Sequence, residues 1–393
     1  MTGQKFEITI DRIAYGGNGV GRLPNGMVCF VPGVIAGEKA VVEVLTEKKR
    51  YTTAALLEVV EPSPHRIPVE NPIPGGVYQH MAYDEENRVK QAQLLDFFKR
   101  GVPEICDACD FREPLIPSRP LQYRNKIVLH SQDGRLGYFM EDNRTVEDVP
   151  VCPLADPEIS VKMTEIRSKM QSVTFENDDK VTIRHAANGV FDWLNGDNAG
   201  IPNLLYHTPC GELEVAPDGF YQVNNEGAAM MQNTVRAMLE NLTEEPSSFL
   251  DLYCGAGFFS LAALAAGIRR IIGADIDPGA AAAATANLQK AGAGKDIRFY
   301  AFAADRIVGR LIKKGGSNPV LLVDPPRQGL DQATAQQIAT SHIRELIYVS
   351  CGPDTLVRDL RLLGSAGFTV ESNVMINMFP RTAHIESITR LRR

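Results

Sequence analysis

Near the carboxyl terminus an apolar run, Leu346-Ile347-Tyr348-Val349, stops abruptly at Ser350-Cys351-Gly352-Pro353. Consecutive core-type side chains without polar alternation suit a strand covered on both faces, as in parallel sheets flanked by helices. In an open sheet of that kind ligands bind in the crevice beyond the carboxyl ends of the strands, so a thiol at Cys351 faces a site rather than the core. Three more runs share the pattern. Phe249-Leu250-Asp251-Leu252 enters Tyr253-Cys254-Gly255-Ala256-Gly257, Ile271-Ile272-Gly273-Ala274 ends at Asp275, and Val320-Leu321-Leu322-Val323 ends at Asp324-Pro325-Pro326-Arg327. Residues 218–393 are thereby constrained to an α/β, Rossmann-like domain.

The strand ends differ in chemistry. Gly255 and Gly257 let the backbone approach a cofactor closely, but Ser260 stands where the dinucleotide fingerprint wants its third glycine, which counts against NAD. Asp275 follows that turn by the roughly 20 residues at which an acidic side chain grips ribose hydroxyls, which favours an adenosine-bearing cofactor without a pyrophosphate. Asp277 competes for this role, and capping a helix over residues 280–288 is the alternative use of either aspartate. The prolines after Asp324 keep a helix from starting there. Its carboxylate can accept a hydrogen bond from substrate or cofactor; a plain loop aspartate is the alternative. Phe379-Pro380-Arg381-Thr382-Ala383-His384-Ile385-Glu386 then leads into a closing strand. Alone, His384 and Glu386 would be a hydrogen-bonded histidine and a surface acid; beside a strand-end cysteine they become acid/base candidates.

With 393 residues the chain exceeds one ordinary core, and its division is read as residues 1–61, 62–217 and 218–393. Alternation in Phe6-Glu7-Ile8-Thr9-Ile10, Met27-Val28-Cys29-Phe30-Val31 and Ala40-Val41-Val42-Glu43-Val44, punctuated by Gly/Pro/Asn turns, predicts a small five-stranded barrel of the OB type. Arg12, Tyr15, Arg22, Lys48, Lys49, Arg50 and Tyr51 offer cations and aromatic faces to a single-stranded nucleic acid, an ordinary solvated surface being the alternative. A net charge of −7 decides neither way, because a local basic groove is compatible with an acidic total. The middle segment, entered through prolines 62, 64, 68, 72 and 74, reads as an α+β domain with helices over residues 84–100 and 157–172 and strands over 181–185 and 213–215.

No window offers the roughly 20 apolar residues of a membrane helix, and residues 1–11 lack a secretory apolar core, so a cytoplasmic protein is expected. Seven cysteines, an odd number, read as reduced thiols rather than a disulfide framework. Cys106-Asp107-Ala108-Cys109 and the later Cys152 offer three ligands where a structural zinc or iron–sulfur site needs four. Free thiols, a metal or cluster site and a redox pair all remain open for them.

Two resemblances sharpen this reading. Residues 8–64 resemble the TRAM domain, an RNA-binding barrel, through Ala14-Tyr15-Gly16-Gly17-Asn18-Gly19-Val20, Val31-Pro32-Gly33 and Glu61-Pro62-Ser63-Pro64. The whole chain resembles the S-adenosylmethionine-dependent uracil-5-methyltransferases of RNA. The matching pieces are Phe220-Tyr221-Gln222-Val223-Asn224, Asp251-Leu252-Tyr253-Cys254-Gly255, Asp324-Pro325-Pro326-Arg327, Ser350-Cys351-Gly352-Pro353, and Phe379-Pro380 with Thr382, His384 and Glu386.

The resemblance implies that Cys351 is the nucleophile, Glu386 the base, and that Gln222, Tyr253, Asp275 and Asp324 line the S-adenosylmethionine site. A crevice holding Arg327 or Arg381 is expected to favour the Cys351 thiolate. The target uridine is expected to be flipped out or already single-stranded. Ribosomal RNA of the large subunit is favoured over transfer RNA, because a TRAM barrel is commoner among family members acting there, and a monomer is expected. A catalytically silent RNA-binding or folding protein is the rival reading, although it would need neither Cys351 nor Glu386.

Many members of this family hold an iron–sulfur cluster on four cysteines, but residues 69–80, where three of them would lie, contain none, and only Cys152 matches. No iron–sulfur cluster and no other metal is expected. Phe258 replaces an asparagine of some relatives, and Ala303 a polar residue near the adenine, for which Asp305 could substitute.

Overall fold

Period-two alternation hides one face of each amino-terminal strand, and closing the strands on themselves buries that face without leaving an edge. The computed structural model, which describes residues 1–140, 142–169 and 176–393, shows this closure. Strands β1 (Lys5–Ile13), β2 (Gly19–Arg22), β3 (Val28–Val31), β4 (Lys39–Glu47) and β5 (Tyr51–Glu61) form a closed barrel in the order β1-β2-β3-β5-β4. Ile8, Ile10, Val31, Val42, Val44 and Ala54 fill it. The candidate RNA-facing residues Arg12, Tyr15, Arg22, Lys48, Lys49, Arg50 and Tyr51 are all exposed.

The chain packs as two compact units, one of residues 1–96 with 379–384 and one of residues 97–378 with 385–393. Besides the barrel, the first unit contains the start of helix α1 (Tyr83–Gly101). Here the Glu86 carboxylate, fully buried, meets Lys90 Nζ at 2.9 Å and Arg381 Nη1 at 3.3 Å. It also accepts the Arg381 backbone N–H at 2.8 Å, while Lys90 donates to the Phe379 carbonyl at 3.0 Å and Arg381 Nη1 to the Met81 carbonyl at 2.8 Å. Arg381 is left-handed, with φ 69°. Such a conformation persists in a residue other than glycine only where its surroundings over-determine it, and these bonds do so. Removing the carboxylate strands two buried cations, so Glu86→Ala is expected to cost about 3–5 kcal/mol in urea unfolding of the full chain. A cost under about 1 kcal/mol would mean that water already solvates the network.

In the second unit, β6 (Asp110–Phe111) is followed by β7 (Lys126–Gln132), β8 (Arg135–Phe139), β9 (Val146–Asp148), helix α2 (Pro157–Lys169), β10 (Lys180–Ala186) and β11 (Gly189–Leu194). These give an antiparallel sheet in the order β11-β10-β7-β8-β9, with α2 packed on β10 and β11. The end expected for α2 at residue 172 lies outside the described residues. Strands β12 (Leu204–Thr208) and β13 (Gly211–Val215) form a separate hairpin before α3 (Asn225–Glu240), which Asn224 caps by accepting the Gly227 N–H at 3.1 Å.

The remaining elements alternate: β14 (Ser248–Leu252), α4 (Phe258–Ala265), β15 (Ile271–Asp275), α5 (Pro278–Lys290), β16 (Ile297–Ala301), α6 (Ala304–Lys314), β17 (Pro319–Val323), α7 (Gln332–Ala339), β18 (Glu345–Ser350), α8 (Pro353–Ser365), β19 (Thr369–Ile376) and β20 (Glu386–Arg392). Their sheet runs β16-β15-β14-β17-β18-β20-β19-β6. Strands β14 to β18 are parallel and β20 is antiparallel to both its neighbours. Beyond the expected elements, β6 joins this sheet from the middle of the chain, and its two residues carry too little periodicity to be read beforehand. No helix among the described residues is long and apolar enough to cross a membrane.

Candidate active site

Sheet order reverses between β14 and β17, the switch point at which an open α/β sheet leaves a crevice. Over it the chain leaves β14 through Tyr253, itself left-handed at φ 66°, and turns at Gly255 and Gly257. Gly257 has φ 90°, and a Cβ there would lie 3.1 Å from the Leu288 side chain, so the turn sits tightly on α5. The Tyr253 hydroxyl is raised above its ordinary pKa by burial and by nearby Asp331, and it shares a hydrogen bond with Thr334.

The two competing aspartates do different work. Asp277 caps α5 by accepting the Gly279 N–H at 2.8 Å. Asp275 instead accepts the N–H groups of Gly255 at 2.9 Å and Asp277 at 3.0 Å, which fixes its carboxylate against the glycine turn. Gln222 is buried, and its backbone carbonyl accepts from Asn125 Nδ2 at 2.9 Å. Its neighbour Tyr221 packs edge-on to Phe258 with ring centroids 6.1 Å apart, which brings the segment before α3 beside the same turn.

A residue missed in the sequence lies beneath. Asp251 is fully buried; Ser260 Oγ donates to its Oδ2 at 2.5 Å, while its Oδ1 has no partner among the described residues. Burial, then the charge of Asp275, pushes its carboxyl up to about 7. Ser260, the residue that breaks the dinucleotide fingerprint, is thus the partner of a buried acid. Asp324, half-buried after β17, is likewise pushed up to about 7 by burial and by Asp251.

Cys351 and Glu386 are 35 positions apart in the chain, yet the ladder unites them. Strand β20 runs antiparallel to β18 with Ser350 opposite Ser387, so one more step of the same register sets Cys351 opposite Glu386. Because β20 enters where the parallel strands end, its first residue reaches the same edge of the sheet as Tyr253, Asp275 and Asp324. Glu386 also pairs with Ile376 of β19 and is buried.

The protonation state departs from the expectation of a favoured thiolate. Burial pushes Cys351 up to about 12, with Glu386 and Asp324 adding to the rise and Arg327 opposing it. Glu386 stands well above the carboxylate range for the same leading reason, followed by Asp324, again opposed by Arg327. Desolvation outweighs the single arginine. Arg381, the other expected cation, belongs to the first unit, where Glu86 binds it. His384 is also in that unit, half-buried, with its ring 5.5 Å from that of Phe379 and its N–H 3.4 Å from Thr382 Oγ1.

Among the described residues the only trio of metal-ligand groups within 4.8 Å of one another is Asp156, Glu158 and His185. Cys106, Cys109 and Cys152 form no such group. Cys152 is buried and accepts a hydrogen bond from the Tyr138 hydroxyl at 3.4 Å.

Comparison with known proteins agrees with this architecture. Residues 212–393 match the family described as tRNA (Uracil-5-)-methyltransferase, and residues 1–57 match the TRAM domain. An uncharacterized RNA methyltransferase of Bdellovibrio bacteriovorus is 28% identical over 410 residues, covering 100% of this chain and 96% of its own. One from Aquifex aeolicus is 28% identical over 433 residues, covering 100% and 99%. The solved structure of Pyrococcus abyssi tRNA (uracil-54, C5)-methyltransferase in complex with S-adenosyl-L-homocysteine superposes with a TM-score of 0.77 at 21% identity, covering 98% of this chain and 99% of that one; this likeness is one of fold. Residues 212–393 thus carry the match to the tRNA (Uracil-5-)-methyltransferase family and residues 1–57 the match to the TRAM domain, in a chain similar over its whole length to proteins named RNA methyltransferases.

Proposed function

We propose that this protein methylates C5 of a specific uridine in RNA through a transient bond between Cys351 and C6 of the base. The observation that carries the reading is the register of β18 and β20, which aligns a thiol and a carboxyl at the edge where the glycine turn and three aspartates meet. The donor set suits a cationic adenosine cofactor: Asp251, Asp275 and Asp324 crowd the crevice, and the Oδ1 of Asp251 has no partner among the described residues. Gln222, Tyr253, Asp275 and Asp324 would hold S-adenosylmethionine, which supplies an electrophilic methyl group when bound.

C5 of uracil is too weak a nucleophile to react unaided. Addition of the Cys351 sulfur to C6 pushes the double-bond electrons into an enolate and makes C5 nucleophilic. Once C5 is methylated, Glu386 takes its proton, the ring double bond re-forms and the sulfur leaves.

Both groups must be deprotonated to act, and both have raised pKa values. Activity is therefore lost as pH falls. Single-turnover rates are expected to climb between about pH 6 and pH 9, by up to tenfold per unit while one proton limits the step. A flat profile would refute the protonated resting state.

The TRAM barrel, with its exposed cations and tyrosines, is the ground for favouring large-subunit ribosomal RNA. Transfer RNA, the substrate named for the Pyrococcus protein, is the second reading. The protein would act as a cytoplasmic monomer without an iron–sulfur cluster, gripping RNA with residues 1–61 and 62–217 and methylating it with 218–393. Nucleoside mass spectrometry on ribosomal and transfer RNA from cells with and without the gene tests both readings. Loss of 5-methyluridine from one pool identifies the substrate, and no change in either pool would overturn the proposal.

A further inference from the structure

The Cys106-Cys109 pair has no part in methyl transfer, yet its backbone is tightly organised. A single 3-10 turn, Pro103–Ile105, precedes it. The N–H of Cys106 donates to the Pro103 carbonyl at 3.1 Å, and the N–H of Cys109 to the Cys106 carbonyl at 3.0 Å. A four-residue turn closed in this way keeps its first and last Cα atoms within about 7 Å. A disulfide spans about 4.4–6.8 Å between Cα atoms. Both thiols are free and half-buried, and each lies within the electrostatic reach of the other.

Both ends of the turn are pinned. Upstream, Gly101 lies so close to α8 that a Cβ would fall 2.0 Å from Val357 Cγ1, and Ile105 packs on Gly364 of the same helix. Downstream, β6 pairs with β19, and the Arg112 N–H donates to the Asn373 carbonyl at 2.9 Å. The fold has thus already met much of the entropic cost of bringing the two sulfurs together.

We propose that Cys106 and Cys109 are a reversible oxidation site that exchanges with small disulfides to form an intrachain disulfide, selecting cationic over anionic reagents. In the first step one cysteine thiolate attacks a sulfur of the small disulfide, giving a mixed disulfide and one released thiol. The second thiolate then displaces the other half as a second thiol, and the Cys106–Cys109 bond forms. The two cysteine protons end on the released thiols, the reagent gains two electrons and the protein pair loses them.

Charge selection follows from the surroundings. Burial, Asp107 and Glu104 push Cys106 up to about 11; burial, Cys106 and Asp110 push Cys109 up to about 12. Asp110 is paired with Arg112 at 3.2 Å, and it is Asp107 and Glu104 that repel an anionic reagent and attract a cationic one. A thiolate so poorly stabilised is also a poor leaving group, so a reducing thiol re-opens the disulfide slowly.

Cystamine, hydroxyethyl disulfide and glutathione disulfide, respectively cationic, neutral and anionic, probe this directly. The full chain is exposed to each at equal concentration and low ionic strength, alkylated and digested with trypsin. Residues 101–112 form one tryptic peptide with these two cysteines and no other. That peptide is expected to escape alkylation at both cysteines and to be two hydrogens lighter than its reduced, unalkylated form, about tenfold faster with cystamine than with glutathione disulfide. Added salt should narrow the ratio, as should Asp107→Asn. Cys109→Ser should stop at a mixed disulfide on Cys106. Full alkylation of the pair under conditions that modify half-buried Cys210, or mixed disulfides that never close, would overturn the site. Equal rates with all three reagents would overturn the selection. Since no arm measures methyl transfer, these results stand or fall apart from the proposed reaction.

Discussion

Replacing Cys351 with alanine is expected to abolish methyl transfer while leaving affinity for S-adenosylmethionine within about twofold of wild type. Removing a covalent nucleophile costs on the order of 10⁶-fold in rate where the chemistry depends on it, and here the uracil ring has no other route to a nucleophilic C5. The proposed cofactor groups, by contrast, stand at the ends of β14, β15 and β17 and before α3, and none of them is hydrogen-bonded to the cysteine side chain among the described residues. Burial already holds the thiol protonated, so its loss removes no charge from the resting site. Calorimetric titration with S-adenosylmethionine and a radiolabelled methyl-transfer assay separate the two effects. Turnover within tenfold of wild type would eliminate the covalent route.

How much of this site could be read in advance depends on the range of the interaction involved. The strand ends were legible because each apolar run stops at a chemically distinct residue, which put Asp275, Asp324 and Cys351 on one edge, while Tyr253 joined them only through the family resemblance. Division of labour between Asp275 and Asp277 was not legible, because both can cap a helix; the turn geometry hands the cap to Asp277. Asp251, read only as part of a strand and a matching motif, was given no role because a carboxylate inside an apolar run looks like a solvent-facing interruption, and only the layers above and below β14 reveal a fully buried acid. The partnership of Cys351 with Glu386 depends on β20 inserting antiparallel between β18 and β19, a long-range event that spacing alone does not encode. Protonation was misjudged for a related reason. A sequence displays Arg327 but not the depth of the groups around it, and depth dominates the balance here.

Glu386→Gln is expected to trap the enzyme on its RNA. Glutamine is nearly isosteric with glutamic acid and matches the neutral form that burial favours at this position, so folding and cofactor affinity should stay near wild type. Cys351 remains able to add to C6 and C5 remains able to accept the methyl group. The C5 proton, however, loses its acceptor and elimination stalls. Turnover should fall by on the order of 10²–10⁴, the usual contribution of a positioned base, and a protein–RNA species stable to denaturing gel electrophoresis should build up. Adding Cys351→Ala to the variant should erase that species, which ties it to the sulfur. If Glu386→Gln turns over normally and accumulates no adduct, the proton leaves by another path. Asp324, poised at about 7 on the same edge, would then be the first group to replace.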